Sequence, residues 1–494
     1  MRHEPVQESF TRNAVNRPDQ TAISFGGSSL SYSELLTRAN QVANLLLSAG
    51  AGRCWPVAIL CSLPPDIIAA IIGVLKAGCA FVPVDTELPA NKLAAMFAVV
   101  EPPLIIADGA HLELASRLGQ TAGSRLISFE EHLDQPDSDA QIATEPEQLS
   151  YIYFTSGSTG VPKAIAGRLK GIDHFINWEI EQLGLAGGVK VSHLLSPVFD
   201  GSLRDIFVPL VAGGEICVPG SREVAADGQR MSRWLSEAEV EVAHLVPTML
   251  REMLNSGLSG VRLEKLKHIL LAGEALSPKD VGRWMAEVGA GVRLWNLYGT
   301  SETTMAKFYY EVKKEDAAKK IIPIGKPMPG AAAIVVTDKG KPCPQGMIGE
   351  IYIRTAYRSL GYYNQEEQTK EVFIRNPFSH DEQDIVYKTG DLGRVLKDGN
   401  YECLGRRDNQ VKIRGVRVEL GEIEEAIRRC AGVRDVAVID QQRGAEKYLC
   451  AYVVMEPGMR AKQVREEVAE ELSEVMRPSR YVEMEEFRER SAGR

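Results

Sequence analysis

Between Tyr153 and Lys163 the chain reads YFTSGSTGVPK. This one run holds the hydroxyls of Thr155, Ser156, Ser158 and Thr159, the glycines Gly157 and Gly160, and the ammonium of Lys163. Glycine lets a backbone come close to a bulky anion. Free N–H groups and hydroxyls then donate to its oxygens, and lysine adds a point charge. The run therefore reads as a loop that holds a polyphosphate. It is not a Walker loop: Gly157 and Gly160 stand too close together, and Pro162 precedes Lys163 where that loop has glycine. A flexible Ser/Gly connector is the plain alternative. Three later carboxylates also draw notice: Asp200 in FDGS, Glu302 in YGTSE and Asp391 in KTGDL. Taken singly, they read as a helix cap, a capping glutamate and a turn aspartate.

These residues need a scaffold, and the patterning supplies one. Residues 32–47 have apolar side chains at helical spacing, and residues 56–61 form a short apolar run that reads as a buried strand. Residues 65–76 read as a helix and 81–84 as a strand; strand-like runs return at 104–107 and 242–246. Such alternation argues for parallel sheets covered by helices. After about residue 325 the runs 331–336, 349–353 and 400–404 are separated by Gly, Pro and Asp turns, which suggests an antiparallel, barrel-like unit. Past Asp408 comes a small α+β pattern. It has strands at 411–414, 433–438 and 449–454, and helices at 420–430 and 461–476.

The 494 residues are too many for one hydrophobic core, and 44% hydrophobic with 25% charged content suits a soluble globular chain. A net charge of −9 does not favour a nucleic-acid partner. Eight cysteines without a Cys-x-x-Cys pair suggest neither a disulfide framework nor a zinc site, and fit a reducing cytoplasm. The N-terminus lacks the apolar core of a signal peptide, and no apolar stretch is long enough to span a bilayer.

The phosphate loop has companions in a fixed order: residues 30–35, 75–78, 199–202, 271–274, 296–302, 387–392 and 405–415. Together these motifs resemble the adenylate-forming enzymes, the superfamily of acyl-CoA synthetases, luciferases and peptide-synthetase adenylation domains. Within it the chain is most similar to an adenylation domain of a nonribosomal peptide synthetase, over nearly its whole length. The resemblance implies an α/β fold. A large N-terminal domain, residues 1–407, would hold two helix-covered, mainly parallel sheets and a small β-barrel-like subdomain. A small mobile α+β domain, residues 408–494, would turn about a hinge at Asp408.

It further implies an ATP- and Mg²⁺-dependent ligase. An amino acid carboxylate attacks the α-phosphorus of ATP and releases pyrophosphate, and the acyl group then passes to the phosphopantetheine thiol of a carrier domain. Catalysis of that kind is mostly positioning and electrostatics. By the resemblance, Thr155, Ser156, Gly157, Ser158, Thr159, Gly160 and Lys163 cradle the β- and γ-phosphates. Glu302 holds Mg²⁺, which favours carboxylate and phosphate oxygens. Asp391 accepts the ribose hydroxyls and Arg406 lies near ribose and phosphate. Gly273, Glu274, Ala275, Asn296, Tyr298, Gly299 and Thr300 match the adenine platform and its surroundings, although Cys403 stands where the family often has an aromatic ring. Lys412 lies on the loop that faces the pantetheine channel; a solvated basic strand edge is its plain reading. A carrier domain and an MbtH-like accessory protein are the implied partners.

Asp200 matches the carboxylate that amino-acid-activating members set against the substrate's α-ammonium. The other pocket positions are Gly201, Arg204, His244, Leu270, Ala272, Leu297, Met305 and Ala306. Gly201 and the alanines suggest room, and the leucines and Met305 suggest apolar walls. Arg204 and His244 need partners if buried. Arg204 could pair with a substrate carboxylate, turn outward or bond to Asp205. An aromatic polar substrate side chain fits somewhat better than an acidic one. Where the family ends in a Gly-Lys pair, this sequence has Gly493 and Arg494. Arginine keeps the charge but not the geometry, which sets a question over the adenylation step. The competing readings are an acyl- or aryl-CoA ligase and a catalytically silent adenylate-binding domain.

Overall fold

The computed structural model describes residues 4–157, 161–258, 260–408, 410–413, 415–443, 446–456 and 459–487. Two large sheets dominate. The seven-stranded sheet runs Gly361–Tyr362, Lys163–Arg168, Leu149–Thr155, Ala80–Pro83, Pro56–Leu60, Leu104–Ala107, Arg125–Ser128. Its last five strands are parallel, while Lys163–Arg168 returns antiparallel to Leu149–Thr155. Pro56–Leu60 is buried at every residue, as a parallel strand covered on both faces must be.

The covering helices form for local reasons. Tyr32–Ser48 starts at a capping box: the Ser31 hydroxyl accepts the Glu34 N–H, and the Glu34 carboxylate accepts the Ser31 N–H. Pro64–Lys76 begins on proline, whose missing N–H costs nothing in a first turn, and buries every residue from Ile67 to Lys76. The two helices approach so closely that a Cβ on Gly73 would lie 2.6 Å from Val42.

The nine-stranded sheet has a parallel centre that includes Lys190–Ser192, Val242–Leu245, His268–Leu271 and Arg293–Tyr298. The carboxyl ends of the last three strands carry residues 244–248, 270–275 and 296–302, the usual place for a ligand in an open α/β sheet. A five-stranded antiparallel sheet follows, and its strands Ile385–Val395 and Tyr401–Arg406 put Asp391 directly opposite Arg406. The final unit has a two-stranded hairpin, Gln410–Ile413 with Val416–Glu419, and a three-stranded sheet. Its apolar cluster, with Val418, Ile423, Ile427, Val453 and Val464, draws on no residue before Val411. Among the described residues no helix is long and apolar enough to cross a membrane.

One expected element is shorter. The helix read at 461–476 ends at Glu471, and Leu472 turns extended (φ −104°, ψ 142°) before a 3₁₀ turn at Glu474–Met476. Val464, Val468, Leu472 and Met476 mimic one continuous apolar stripe and all four are buried. Pro478, however, disfavours helix in the residue before it, and the chain turns toward the strand Arg480–Met484.

Candidate active site

The described ends of the phosphate-loop candidate close a β-hairpin. Thr155 pairs with Lys163 across the ends of Leu149–Thr155 and Lys163–Arg168. A Cβ on Gly157 would stand 2.0 Å from the Val161 carbonyl oxygen, so only glycine fits. The Thr155 hydroxyl is buried without a partner. Lys163 is half-buried, with its ammonium 5.7 Å from the centroid of the Tyr362 ring. Burial, then the neighbouring Arg417, lowers its pKa, while Glu419 and Glu302 oppose the shift. Ser158, Thr159 and Gly160 lie outside the described residues.

Glu302 sits in the 3₁₀ turn Ser301–Thr303, beyond Gly299, where a Cβ would meet the Met305 carbonyl oxygen at 2.4 Å. Glu302 is wholly buried. Its Oε1 accepts from Tyr362 Oη at 2.9 Å and from Arg417 Nη1 at 2.9 Å, while Oε2 has no hydrogen-bond partner. Burial pushes the carboxyl pKa up, but the Arg417 charge and the donors around it outweigh that and hold it at about 2. Arg417 is tied in turn: its Nε donates to Gln410 Oε1 at 2.7 Å, and its carbonyl accepts from Ser156 Oγ at 2.8 Å.

Asp391 joins the same network. Tyr298 donates its hydroxyl to Asp391 Oδ2, and Arg406 Nη1 donates to Oδ1 at 3.2 Å. The other arms of Arg406 grip Asp408, with Nε to Oδ1 at 2.8 Å and Nη2 to Oδ2 at 2.6 Å. Asn296 gives its amide to the Pro323 carbonyl at 2.8 Å. Cys403 packs against the cluster of Tyr298 and Phe308. Glu274 accepts from the Thr248 N–H and hydroxyl (2.9 and 2.7 Å) and from the Gly415 N–H at 2.7 Å. Gly273 has φ +91°, Thr300 is half-buried and Ala275 is exposed. Lys412 is half-exposed and pairs in register with Arg417. Arg494 lies outside the described residues.

The proposed substrate residues gather on the other side of Glu302. Asp200 does not cap the helix Ser202–Ala212; Gly201 occupies that position. Instead Asp200 Oδ2 accepts the Met305 N–H at 3.0 Å, and desolvation raises its carboxyl pKa. Thr304 and Met305 are consecutive non-glycine residues in the left-handed region (φ +67° and +56°), a strained turn. Lys307, wholly buried, donates to the carbonyl oxygens of Thr304 (2.7 Å) and Ala306 (3.1 Å) and so braces it. Burial brings its pKa down to about 7. Leu270, Leu297, Met305 and Ala306 share one apolar cluster with Phe175 and Trp178, and Ala272 packs against it.

Arg204 is 2% exposed. It does not pair with Asp205, one of the options its sequence left open, because Asp205 is already taken. Asp205 Oδ1 faces His244 Nδ1 at 2.8 Å, and Oδ2 accepts the N–H groups of Leu194 and Leu195, both at 3.2 Å. Arg204 faces Glu179 instead, with Nε 3.9 Å from Oε2. Glu179 Oε1 binds His244 Nε2 at 2.5 Å. Burial works against charge on His244, but Glu179 and Asp205 outweigh it and raise its pKa.

The structure thus brings Thr155, Lys163, Asp200, Glu302, Asp391 and Arg406 to one region. Glu179, Lys307, Tyr362 and Arg417 join them without having been foreseen from the sequence.

A family model described as AMP-binding enzyme matches residues 10–363, and a second, described as AMP-binding enzyme C-terminal domain, matches residues 422–494. The chain belongs to the AMP-binding enzyme family. It is 33% identical over 486 residues to gramicidin S synthase 2 of Brevibacillus brevis, covering 98% of this chain and 11% of that protein. It is 32% identical over 485 residues to surfactin synthase subunit 1 of Bacillus subtilis (strain 168), covering 98% and 13%. The chain therefore spans about a tenth of the length of these relatives. Its fold matches the solved structure of PA1221, a nonribosomal peptide synthetase protein containing adenylation and PCP domains. There the TM-score is 0.85 at 24% identity, covering 98% of this chain and 94% of that one. Arg417 falls between the two matched segments, and its contact with Glu302 ties that stretch to the first of them.

Proposed function

We propose that this chain activates an amino acid as its aminoacyl-adenylate at the expense of ATP, and then passes it to the thiol of a carrier domain. The observation that carries the reading is Asp200. It is a desolvated carboxylate with hydrogen-bond donors but, among the described residues, no cation within 4.0 Å. Lys307 acts on this carboxylate only from further off; an α-ammonium group would supply the direct ion pair, and a substrate held there would lie beside Glu302 and the hairpin of Thr155 and Lys163. Neither a fatty nor an aryl acid would use the carboxylate. Lys163 and Arg406 supply the positive field that a triphosphate needs.

Mg²⁺ fits Glu302, whose Oε2 is a buried carboxylate oxygen without a partner. The ion, when bound, would neutralise phosphate charge as pyrophosphate leaves. Glu302 Oε1 is meanwhile occupied by Arg417, and Glu274 by the Gly415 N–H. We read this docking of residues 410–419 as the arrangement for thiol transfer, with Lys412 beside the entering phosphopantetheine. Residues 408–494 then turn as a unit about Asp408 for adenylation, bringing Arg494 inward. A cytoplasmic setting, a carrier domain and an MbtH-like accessory protein complete the proposal.

ATP–pyrophosphate exchange over a panel of amino acids tests it. Asp200→Ala is expected to lower amino-acid-dependent exchange at least about 100-fold while ATP binding by calorimetry stays within about twofold, since a buried charge pair is lost at one site only. Unchanged amino acid discrimination in that variant would remove the reading. Repeating the exchange with Arg494→Lys tests the terminal residue, and co-expression with an MbtH-like protein tests the accessory partner.

A further inference from the structure

Five ionisable side chains meet behind the candidate pocket, and their hydrogen bonds are unevenly spent. His244 is saturated: Nδ1 faces the Asp205 carboxylate at 2.8 Å and Nε2 faces Glu179 at 2.5 Å. Both partners are acceptors, so both ring nitrogens carry protons and the ring is an imidazolium. Asp205 is saturated as well, by His244, His193 and two backbone N–H groups. Arg204 and Glu179 are not. Nε and Nη2 of Arg204 and Oε2 of Glu179 have no hydrogen-bond partner, although Arg204 is 2% and Glu179 0% exposed. Leaving such groups unpaired costs about 1–3 kcal/mol each.

The mismatch has a definite separation and charge. Arg204 Nε and Glu179 Oε2 stand 3.9 Å apart, too far to bond each other. Two atoms at that separation can both reach one oxygen at about 2.8–3.0 Å, the guanidinium donating and the carboxylate accepting. The surrounding charges cancel: Arg204 and the His244 imidazolium against Glu179 and Asp205. An acidic or basic side chain would break that balance in the interior, which is costly. The rest of the wall is apolar, with Phe175, Leu270, Leu297 and Met305 in one cluster, and the Arg204 guanidinium 5.9 Å from the Phe175 ring centroid.

We propose that the amino acid taken by this site has a neutral side chain with an apolar body, ending in a hydroxyl or carboxamide that accepts from Arg204 and donates to Glu179. This rests on the amino-acid reading above and sharpens it: the acidic option that the sequence left open is disfavoured by Glu179, which the sequence did not reveal.

The test is ATP–pyrophosphate exchange by the full chain on matched sets, tyrosine against phenylalanine and glutamine against methionine and glutamate, with leucine, lysine, a fatty acid and an aryl acid run beside them. The hydroxyl or carboxamide member of one set should exceed its apolar and charged counterparts by roughly 100-fold in kcat/KM, because a site built for a polar group rejects the analogue lacking it. The two sets also distinguish phenol from amide. Arg204→Met should reduce that preference to less than about tenfold, read equally by calorimetry with non-hydrolysable aminoacyl-adenylate analogues. Should Arg204→Met fail to fold, Arg204→Lys, which keeps the charge but loses the fork, should still lower the preference. Best exchange with phenylalanine, methionine, leucine, glutamate or lysine overturns the inference and leaves the amino-acid reading standing. Exchange with fatty or aryl acids and with no amino acid overturns both.

Discussion

Two buried guanidinium–carboxylate pairs, Arg417 with Glu302 and Arg204 with Glu179, are built to opposite ends. Arg417 and Glu302 meet at 2.9 Å, and further bonds hold both partners: Tyr362 on Glu302, Gln410 and Ser156 on Arg417. Arg204 and Glu179 stop at 3.9 Å with three polar atoms unspent. The first pair is a clasp between two segments distant in the chain. Its energy is realised in the free protein, so it must be surrendered whenever residues 410–419 move. On the substrate assignment proposed above, the second pair is a receptor: its cost is carried by the free protein and is recovered when a ligand oxygen bonds both partners. Close contact then marks a conformational element, and incomplete contact a binding one.

The clasp can be broken from either end, and the larger effect belongs to Glu302. Glu302→Gln leaves the Arg417 guanidinium without its charge partner and removes the carboxylate proposed for Mg²⁺. Exchange should fall about 1,000-fold, and denaturant unfolding should show a loss of about 3–5 kcal/mol at neutral pH. The sign with pH is fixed by the depressed carboxyl. Its folded pKa, about 2, lies below the ordinary 4.5, so its contribution is full above about 4.5 and is lost as pH falls through about 2. The stability gap between wild type and Glu302→Gln should therefore close on acidification across that window. A gap unchanged at low pH would mean that the pair is not the source of the shift.

Arg417→Ala is the smaller break. Oε1 of Glu302 keeps the Tyr362 hydroxyl, and the nucleotide side retains Lys163 and Arg406. If the clasp serves thiol transfer, acyl transfer to a holo carrier domain should drop about 100-fold while exchange drops less than about tenfold. Equal losses in both reactions would make Arg417 part of the adenylation step and turn the comparison around.

The two pairs also differ in how they show themselves in the chain. The phosphate loop, Glu302, Asp391 and Asp200 drew notice because glycines, hydroxyls and carboxylates crowd into turns; taken singly each had a plain local use, and only their fixed order carried the resemblance. The order of those turns then fixed the two mainly parallel sheets that present them. Arg417 was not legible. It lies between Val416 and Val418 in a short strand opposite Lys412, where a charge reads as a solvated edge. Glu179 occurs in the helix Leu169–Leu183 among other acidic residues, and nothing local says that this one is fully buried. Its partners Arg204 and His244 come from another helix and a strand, so the pair exists only through packing. The turn at Thr304 and Met305 escaped because neither residue is glycine, and left-handed backbone there is imposed by Asp200 and Lys307 from outside. The helix ending at Glu471 was overextended because apolar spacing continued through Leu472 and Met476, past the residue where the helix stops.

Lys307 offers the finest test of the receptor side. It shares the Phe175 ring with Arg204, its ammonium 5.8 Å from the centroid, but is hydrogen-bonded where Arg204 is not. Burial lowers its folded pKa to about 7 from the ordinary 10.5. Between those values the unfolded chain binds the proton that the folded one has released, so stability should rise with pH across that window. Relative to Lys307→Met, the wild type should gain about 2 kcal/mol between pH 7 and pH 9 in denaturant unfolding. The same substitution loosens the turn that holds Met305, so KM for the amino acid should rise while KM for ATP stays put; Lys307→Arg should restore part of the loss. A flat stability difference with pH would mean that the Asp200 charge, which already opposes the burial of this ammonium, offsets it fully.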